Sequence, residues 1–231
     1  MTTIASNLQA VRTALAEAVA ESGRGNGEVT LLAVAKTFPP AAIREAYQAG
    51  QTRFAESYVQ EALGKIEDLK DLAIEWHFIG PIQSNKTRAI AENFAWVHSI
   101  DRMKIAERLS EQRPAHLPPL QACLQVNISS EDSKSGVPPG EVGALALAIA
   151  RLPGLKLRGL MAVPAPGNDF EVQRLPFRKL RDLRDSLNRQ GLDLDTLSMG
   201  MSDDFRAAIA EGATMIRIGS AIFGNRTYGK A

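Results

Sequence analysis

The stretch "VTLLAVAKTFPPAAIREAYQAG", Val29–Gly50, holds one strand and one helix in succession. "VTLLAVAKT" is a short apolar run that stops at two prolines, as a strand buried on both faces does. "PAAIREAYQAG" reads as a helix, with Gly50 in the position just past its end. Leu31 to Ala35 are all apolar, and the next residue is Lys36. An ammonium at the end of a buried strand either reaches out to water or is held for chemistry, because burying it unpaired is costly. The rest of the chain decides between the two.

The alternation repeats to the end. Strand-like runs recur at "TRFAES", "IEWHFIG", "WVHSI", "LQACLQVNIS", "LKLRGLMAVP", "TLSMGMS" and "TMIRIGSAIFG", with a helical stretch in every gap. Among these helices, Gly191 and Gly212 close two as Gly50 closes the first. Strands alternating with helices predict βαβ units and a parallel sheet. Eight such units in 231 residues predict an α/β fold, a TIM-type (β/α)₈ barrel formed as one domain over residues 1–231. Ile4, Leu8, Val11, Leu15 and Val19 recur at helical spacing and predict an extra N-terminal helix. A doubly wound open sheet is the alternative, but the Gly-rich turn expected after an early strand is missing.

Composition narrows the function. The formal net charge is +1, with acidic and basic residues interspersed, so no nucleic-acid footprint is expected. No apolar run is long enough to span a bilayer, and the N-terminus lacks the pattern of a signal peptide. A cytoplasmic protein without membrane contact is expected. The one cysteine, Cys123, excludes an internal disulfide and reads as a buried thiol in an apolar run. No metal site is expected.

A barrel of this kind carries its site at the C-terminal ends of the strands. Read strand by strand, those ends offer Lys36; Glu56 and Ser57; His77 and Gly80; His98 and Ser99; Asn127; Met161; Ser198 and Ser202; then Arg217, Gly219 and Ser220. Arg217 stands between Ile216 and Ile218, so it points into the barrel if the isoleucines face the helices. A buried arginine needs a partner. "SMGMSDD" and "RIGSAIFG" end strands 7 and 8, where barrels commonly bind phosphate. Gly200 and Gly219 allow close backbone approach, Ser220 adds a hydroxyl, and Ser202 is placed to cap a helix starting at Asp203. Asp203 and Asp204 oppose an anion there unless they turn sideways to solvent. A desolvated lysine becomes a nucleophile towards carbonyls. Lysine, phosphate anchor and inward arginine together point to pyridoxal 5′-phosphate (PLP) held as a lysine aldimine. An arginine at the ring nitrogen discourages the electron-sink chemistry of that cofactor. His77, between Trp76 and Phe78, reads as a satisfied structural histidine, and Tyr58 as packing on the barrel flank. Asn127 either orders the mouth or caps a loop. The polar segment "SSEDSKSGVPPG" after strand 5 suits a lid, and its Lys134 is a second amine.

"AVAKTF", "WHFIGPIQSNK", "VNIS" with "SKSG", "GLMAV", "SMGMSDDF" and "IRIGSAIFG" resemble, in order and over nearly the whole chain, the pyridoxal phosphate homeostasis protein family, also called the proline synthetase co-transcribed family. The resemblance implies a fold like the barrel domain of alanine racemase without its second domain. It implies that Lys36 carries PLP, that Arg217 faces the pyridine nitrogen, and that Ser202, Gly219 and Ser220 hold the phosphate, with Ser198 and Met201 close by. Family members are regarded as buffering the cofactor and supporting vitamin B6 balance, with no established reaction. One departure stands out: the family's usual "FGEN" is "FAES" here, Phe54–Ser57, so a serine hydroxyl replaces an amide at Ser57. Three functions are thus weighed. One is a PLP carrier, monomeric and in transient contact with apoenzymes. The second is a racemase-like PLP enzyme, and the third a Schiff-base aldolase working without cofactor.

Overall fold

Alternation along β1 (Thr30–Val34) sends Leu31 and Ala33 to one apolar core and Leu32 and Val34 to another. The computed structural model describes residues 3–25, 27–129 and 135–224. In it β1 is followed by β2 (Arg53–Glu56), β3 (Glu75–Phe78), β4 (Trp96–Ile100), β5 (Leu120–Gln125), β6 (Leu155–Met161), β7 (Thr196–Ser198) and β8 (Met215–Ile218). Each pairs in parallel with its neighbours in chain order. β8 returns to β1 with Leu31 opposite Ile216 and Leu32 opposite Arg217, which closes the barrel. The predicted (β/α)₈ architecture is therefore the observed one.

Helices cover the outside: α1 (Ile4–Glu21), α2 (Pro40–Gln48), α3 (Val59–Asp68), α4 (Thr87–Asn93), α5 (Met103–Gln112), α6 (Val142–Ile149), α7 (Phe170–Arg189), α8 (Phe205–Ala210) and α9 (Ser220–Phe223). Thr3 starts α1 through a reciprocal bond pair with Ser6, a capping box. Asn7 on α1 donates to the carbonyl of Ile222 at 3.0 Å, so the extra helix rests on the end of the last βα unit. Gly50, Gly191 and Gly212 have φ of 87°, 97° and 91°, each one residue beyond a helix C-cap, as the sequence predicts.

The larger core lies between strands and helices and includes Phe54, Trp76, Phe78, Val97, Ile216 and Ile218. The smaller one fills the barrel with Leu32, Val34, Ala55, Trp96, Cys123, Met161 and Met215. Cys123 is buried, and burial pushes its thiol pKa up to about 12. The isoleucines flanking Arg217 belong to the outer core, so Arg217 points inward. It is accompanied there by His77, His98 and Ser198, all buried. Such polarity in a barrel interior is not packing material.

Three local expectations need correction. β8 ends at Ile218, and "SAIF" is the helical turn α9. Its amides at Ile222 and Phe223 bond the carbonyl of Gly219 once the strand has run past its neighbours. α8 starts at Phe205 with Asp204 at the N-cap position, so Ser202 is not its cap. Tyr58 is 55% exposed rather than packed on the flank. Lys134 and most of the polar segment before it fall outside the described residues. The ends of that segment are joined, because Asn127 N–H donates to the Val137 carbonyl at 3.0 Å and Val137 N–H to Gln125 at 2.8 Å. No described helix is long and apolar enough to cross a membrane, and no described residues form a metal-ligand cluster.

Gly159 sets the spacing of β6 and β7. A Cβ there would lie 1.8 Å from the carbonyl oxygen of Thr196, a backbone atom that cannot rotate away. Gly159→Ala is predicted to destabilise the fold by roughly 3 kcal/mol, the upper end for over-packing. Urea unfolding measures it, and a loss below about 1 kcal/mol would show that this separation is not enforced.

Candidate functional site

The C-terminal ends of β1, β2, β6, β7 and β8 surround a cavity of about 320 Å³, the size of a small-molecule site. Eight of the ten sequence-predicted residues line it: Lys36, Ser57, Met161, Met201, Ser202, Arg217, Gly219 and Ser220. Ser198 lies one layer below, bonded to Arg217. Asn127 is not on the wall, and its backbone N–H joins the loop ends described above. Val34, Ile79 and Val163 supply apolar wall that the sequence reading did not single out.

Lys36 is half-buried and directly precedes Thr37, the one described non-glycine residue with positive φ, at 70°. A β-branched residue in that region costs roughly 1–3 kcal/mol and persists only where its surroundings impose it. The imposing groups come from α3 and β2. Thr37 N–H donates to Glu61 Oε1 at 2.6 Å. Lys65, buried on α3, donates to the Ala35 carbonyl at 2.8 Å, to Glu56 Oε1 at 2.8 Å and to Glu61. One buried ammonium thus grips the backbone on the strand side of Lys36, while its carboxylate partner grips the other side. Glu56 Oε2 is buried with no hydrogen-bond partner among the described residues. Burial pushes the Glu56 carboxyl up to about 7, and the Lys65 charge and hydrogen bond only partly oppose it.

Arg217 Nη1 donates to Ser198 Oγ at 2.8 Å and Nη2 to the carbonyl of Ala162 at 2.9 Å. Burial lowers its pKa to about 10, so it remains a cation. Ser198 Oγ is in turn 2.8 Å from His98 Nδ1. The guanidinium is therefore fixed from behind while its side chain lines the cavity.

At the far wall the hydroxyls of Ser202 and Ser220 stand 3.5 Å apart beside Gly219. A Cβ on Gly219 would lie 3.2 Å from the Val34 carbonyl, so a small residue is favoured at this rim. The two aspartates do not both turn to solvent. Asp203 is on the cavity wall. Asp204 turns in and accepts from Met201 N–H at 2.6 Å. Burial raises its carboxyl pKa, and the Arg217 charge opposes that rise.

Residues 4–227 match the family model described as alanine racemase, N-terminal domain. Over 229 residues the chain is 60% identical to the "Pyridoxal phosphate homeostasis protein" of Pseudomonas aeruginosa, covering 99% of this chain and 98% of that one. The structure of PipY from Synechococcus elongatus with PLP bound shares 38% identity and superposes with a TM-score of 0.85, covering 96% of this chain and all of that one. Alanine racemase from Corynebacterium glutamicum, at 18% identity, shares the fold with a TM-score of 0.71 over 99% of this chain and 63% of its own.

The clamp around Lys36 has a pH signature. Glu56 titrates at about 7 in the fold against an ordinary 4.5, so the folded state holds its proton more tightly than the unfolded chain. Its favourable, protonated contribution is present at acid pH and is lost as pH rises from about 4.5 through 7. Glu56→Gln cannot titrate. Its stability relative to the parent is predicted to become more favourable between pH 4.5 and pH 8, by about 3 kcal/mol at about 1.4 kcal/mol per tenfold change in proton affinity. Urea unfolding across that range measures the difference. A flat difference would show that Glu56 is ionised throughout.

Proposed function

This chain belongs to the pyridoxal phosphate homeostasis protein family, on the alanine racemase N-terminal domain fold, and we propose that it holds PLP as an imine on Lys36 and delivers it in the cytoplasm to apoenzymes without a catalytic cycle of its own. The observation that carries this reading is Arg217 beneath the cavity that Lys36 enters. The cavity offers an amine for an aldehyde, paired hydroxyls beside a glycine for a phosphate, and apolar wall for a ring. These are the groups that PLP asks for. When bound, PLP supplies an electrophilic carbon and an aromatic ring able to delocalise charge.

Lys36 would hold the cofactor through its Nζ, and PLP would supply the aldehyde for that reversible link, open to release by water or an incoming amine. Ser202 and Ser220 donate to phosphate oxygens, and Asp203 at the same rim weakens that hold, which suits a cofactor meant to leave. Arg217 has only donors and stays cationic, so a ring nitrogen facing it accepts a hydrogen bond and carries no proton. That leaves charge at a substrate α-carbon poorly stabilised. A two-base racemase also needs an acid–base group on each face of that carbon. The ionisable groups on the described wall are Lys36, Arg217 and Asp203, and Asp203 sits at the phosphate rim. Carrier function is the better reading, and a monomer suffices for it.

Lys36→Ala is predicted to lose the borohydride-reducible adduct and the visible absorbance of the PLP-loaded protein while keeping its fold. Peptide mapping of the reduced protein is expected to find the label on Lys36, and a main label on Lys86 or Lys134 would displace the site. Ser202→Ala and Ser220→Ala are each expected to weaken PLP binding by roughly 1.5–3 kcal/mol while leaving pyridoxal binding almost unchanged. Equal losses would put the phosphate elsewhere. The functional test incubates loaded protein with an apo-transaminase and with single amino-acid enantiomers. Regained transaminase activity with unchanged chirality is expected. Lys36-dependent racemisation would restore the enzyme reading.

A further inference from the structure

A file of hydrogen bonds runs from Arg217 through the barrel interior to its opposite end. Arg217 Nη1 lies 2.8 Å from Ser198 Oγ, and Ser198 Oγ 2.8 Å from His98 Nδ1. His98 Nε2 lies 2.9 Å from His77 Nδ1, and His77 Nε2 lies 2.9 Å from Glu75 Oε1. Ser198 and both histidines are fully buried, whereas Glu75 is about two-fifths exposed at the start of β3 and also accepts from Arg53 at 3.0 Å. The His77 ring stacks on Trp96 at 12° and 5.5 Å, which limits its rotation.

The chemistry of its two ends sets the direction of the file. Arginine has donors alone, and an ionised carboxylate has acceptors alone. Burial lowers the pKa of both histidines, so each is neutral with one ring proton. Glu75 accepts, so His77 carries its proton on Nε2 and accepts at Nδ1. His98 then carries its proton on Nε2 and accepts at Nδ1. The Ser198 hydroxyl must point to His98, and its oxygen is left to accept from Arg217. Every bond dipole runs the same way, which strengthens each member and extends the pull of a carboxylate towards the buried guanidinium.

We propose that Glu75, His77 and His98 are positioning residues for Arg217, holding the Ser198 hydroxyl as its acceptor so that the guanidinium keeps one orientation towards a ligand in the cavity. The inference about orientation stands on the protein alone. Its effect on a bound cofactor rests on the PLP reading above.

The test uses the cofactor-free protein labelled with ¹⁵N-histidine, which carries three histidines, the third being the exposed His116. Two-bond ¹⁵N–¹H spectra at pH 7 are expected to show His77 and His98 as neutral Nε2–H tautomers. Glu75→Gln, which removes the terminal charge outside the cavity, is expected to shift the His98 resonances although Glu75 does not touch that ring. It should also move the absorbance maximum of the PLP-loaded protein. Arg53→Gln, which removes the other partner of Glu75 and leaves the carboxylate in place, should keep both histidines as Nε2–H tautomers. An Nδ1–H tautomer at His98, or His98 resonances unchanged in Glu75→Gln, would overturn the proposal. If the histidine spectra behave as expected but added PLP yields no absorbance band, the relay stands and the PLP reading falls.

Discussion

A guanidinium held inside a closed barrel is the constraint around which the site is organised. A charge cannot stay in that interior unless its N–H groups are spent on acceptors. Arg217 spends two of them on Ser198 and on the Ala162 carbonyl, contributed by β7 and the end of β6. Among the described residues no carboxylate is hydrogen-bonded to it. Asp204 supplies negative charge at a distance. Small and polar side chains must therefore replace branched aliphatics in this part of the barrel, and the mouth above it remains open to a ligand.

The second organised feature is the presentation of Lys36. The strained Thr37 backbone turns the chain immediately after the lysine, and the buried Lys65 with Glu56 and Glu61 keeps it there. The strain lies beside the Lys36 amine and its compensation on α3, as is common where geometry serves chemistry. Two buried cation systems thus frame one cavity. One holds the backbone on both sides of the Lys36 amine, and the other fixes the Arg217 donor.

Much of this was legible in the sequence. Period-two alternation puts Arg217 opposite its isoleucine neighbours, and a strand rule puts Lys36 at the mouth, so both follow from local pattern. The eight βα units follow from the same patterning. The clamp was hidden because Lys65 meets Ala35 from 30 residues away, on a helix where lysine looks solvated. The relay is hidden because His98 and Ser198 are 100 residues apart, although both are legible as strand-end polar groups. The misplaced start of α8 has a local cause. Ser202, Asp203 and Asp204 are all good cap residues, but the helix begins only after Asp204, whose carboxylate accepts from Met201 N–H and caps no amide of the first turn. "SAIF" reads as strand because isoleucine and phenylalanine favour sheets, whereas the barrel strand ends at Ile218.

The central claim is that a cationic donor beneath the cavity keeps a bound pyridine ring unprotonated, which makes this barrel a holder of its cofactor. The ¹⁵N chemical shift of ring-labelled PLP on the protein reads that protonation state directly. The account predicts the shift of a neutral, hydrogen-bond-accepting pyridine across pH 6–8. A pyridinium shift in that range would contradict it.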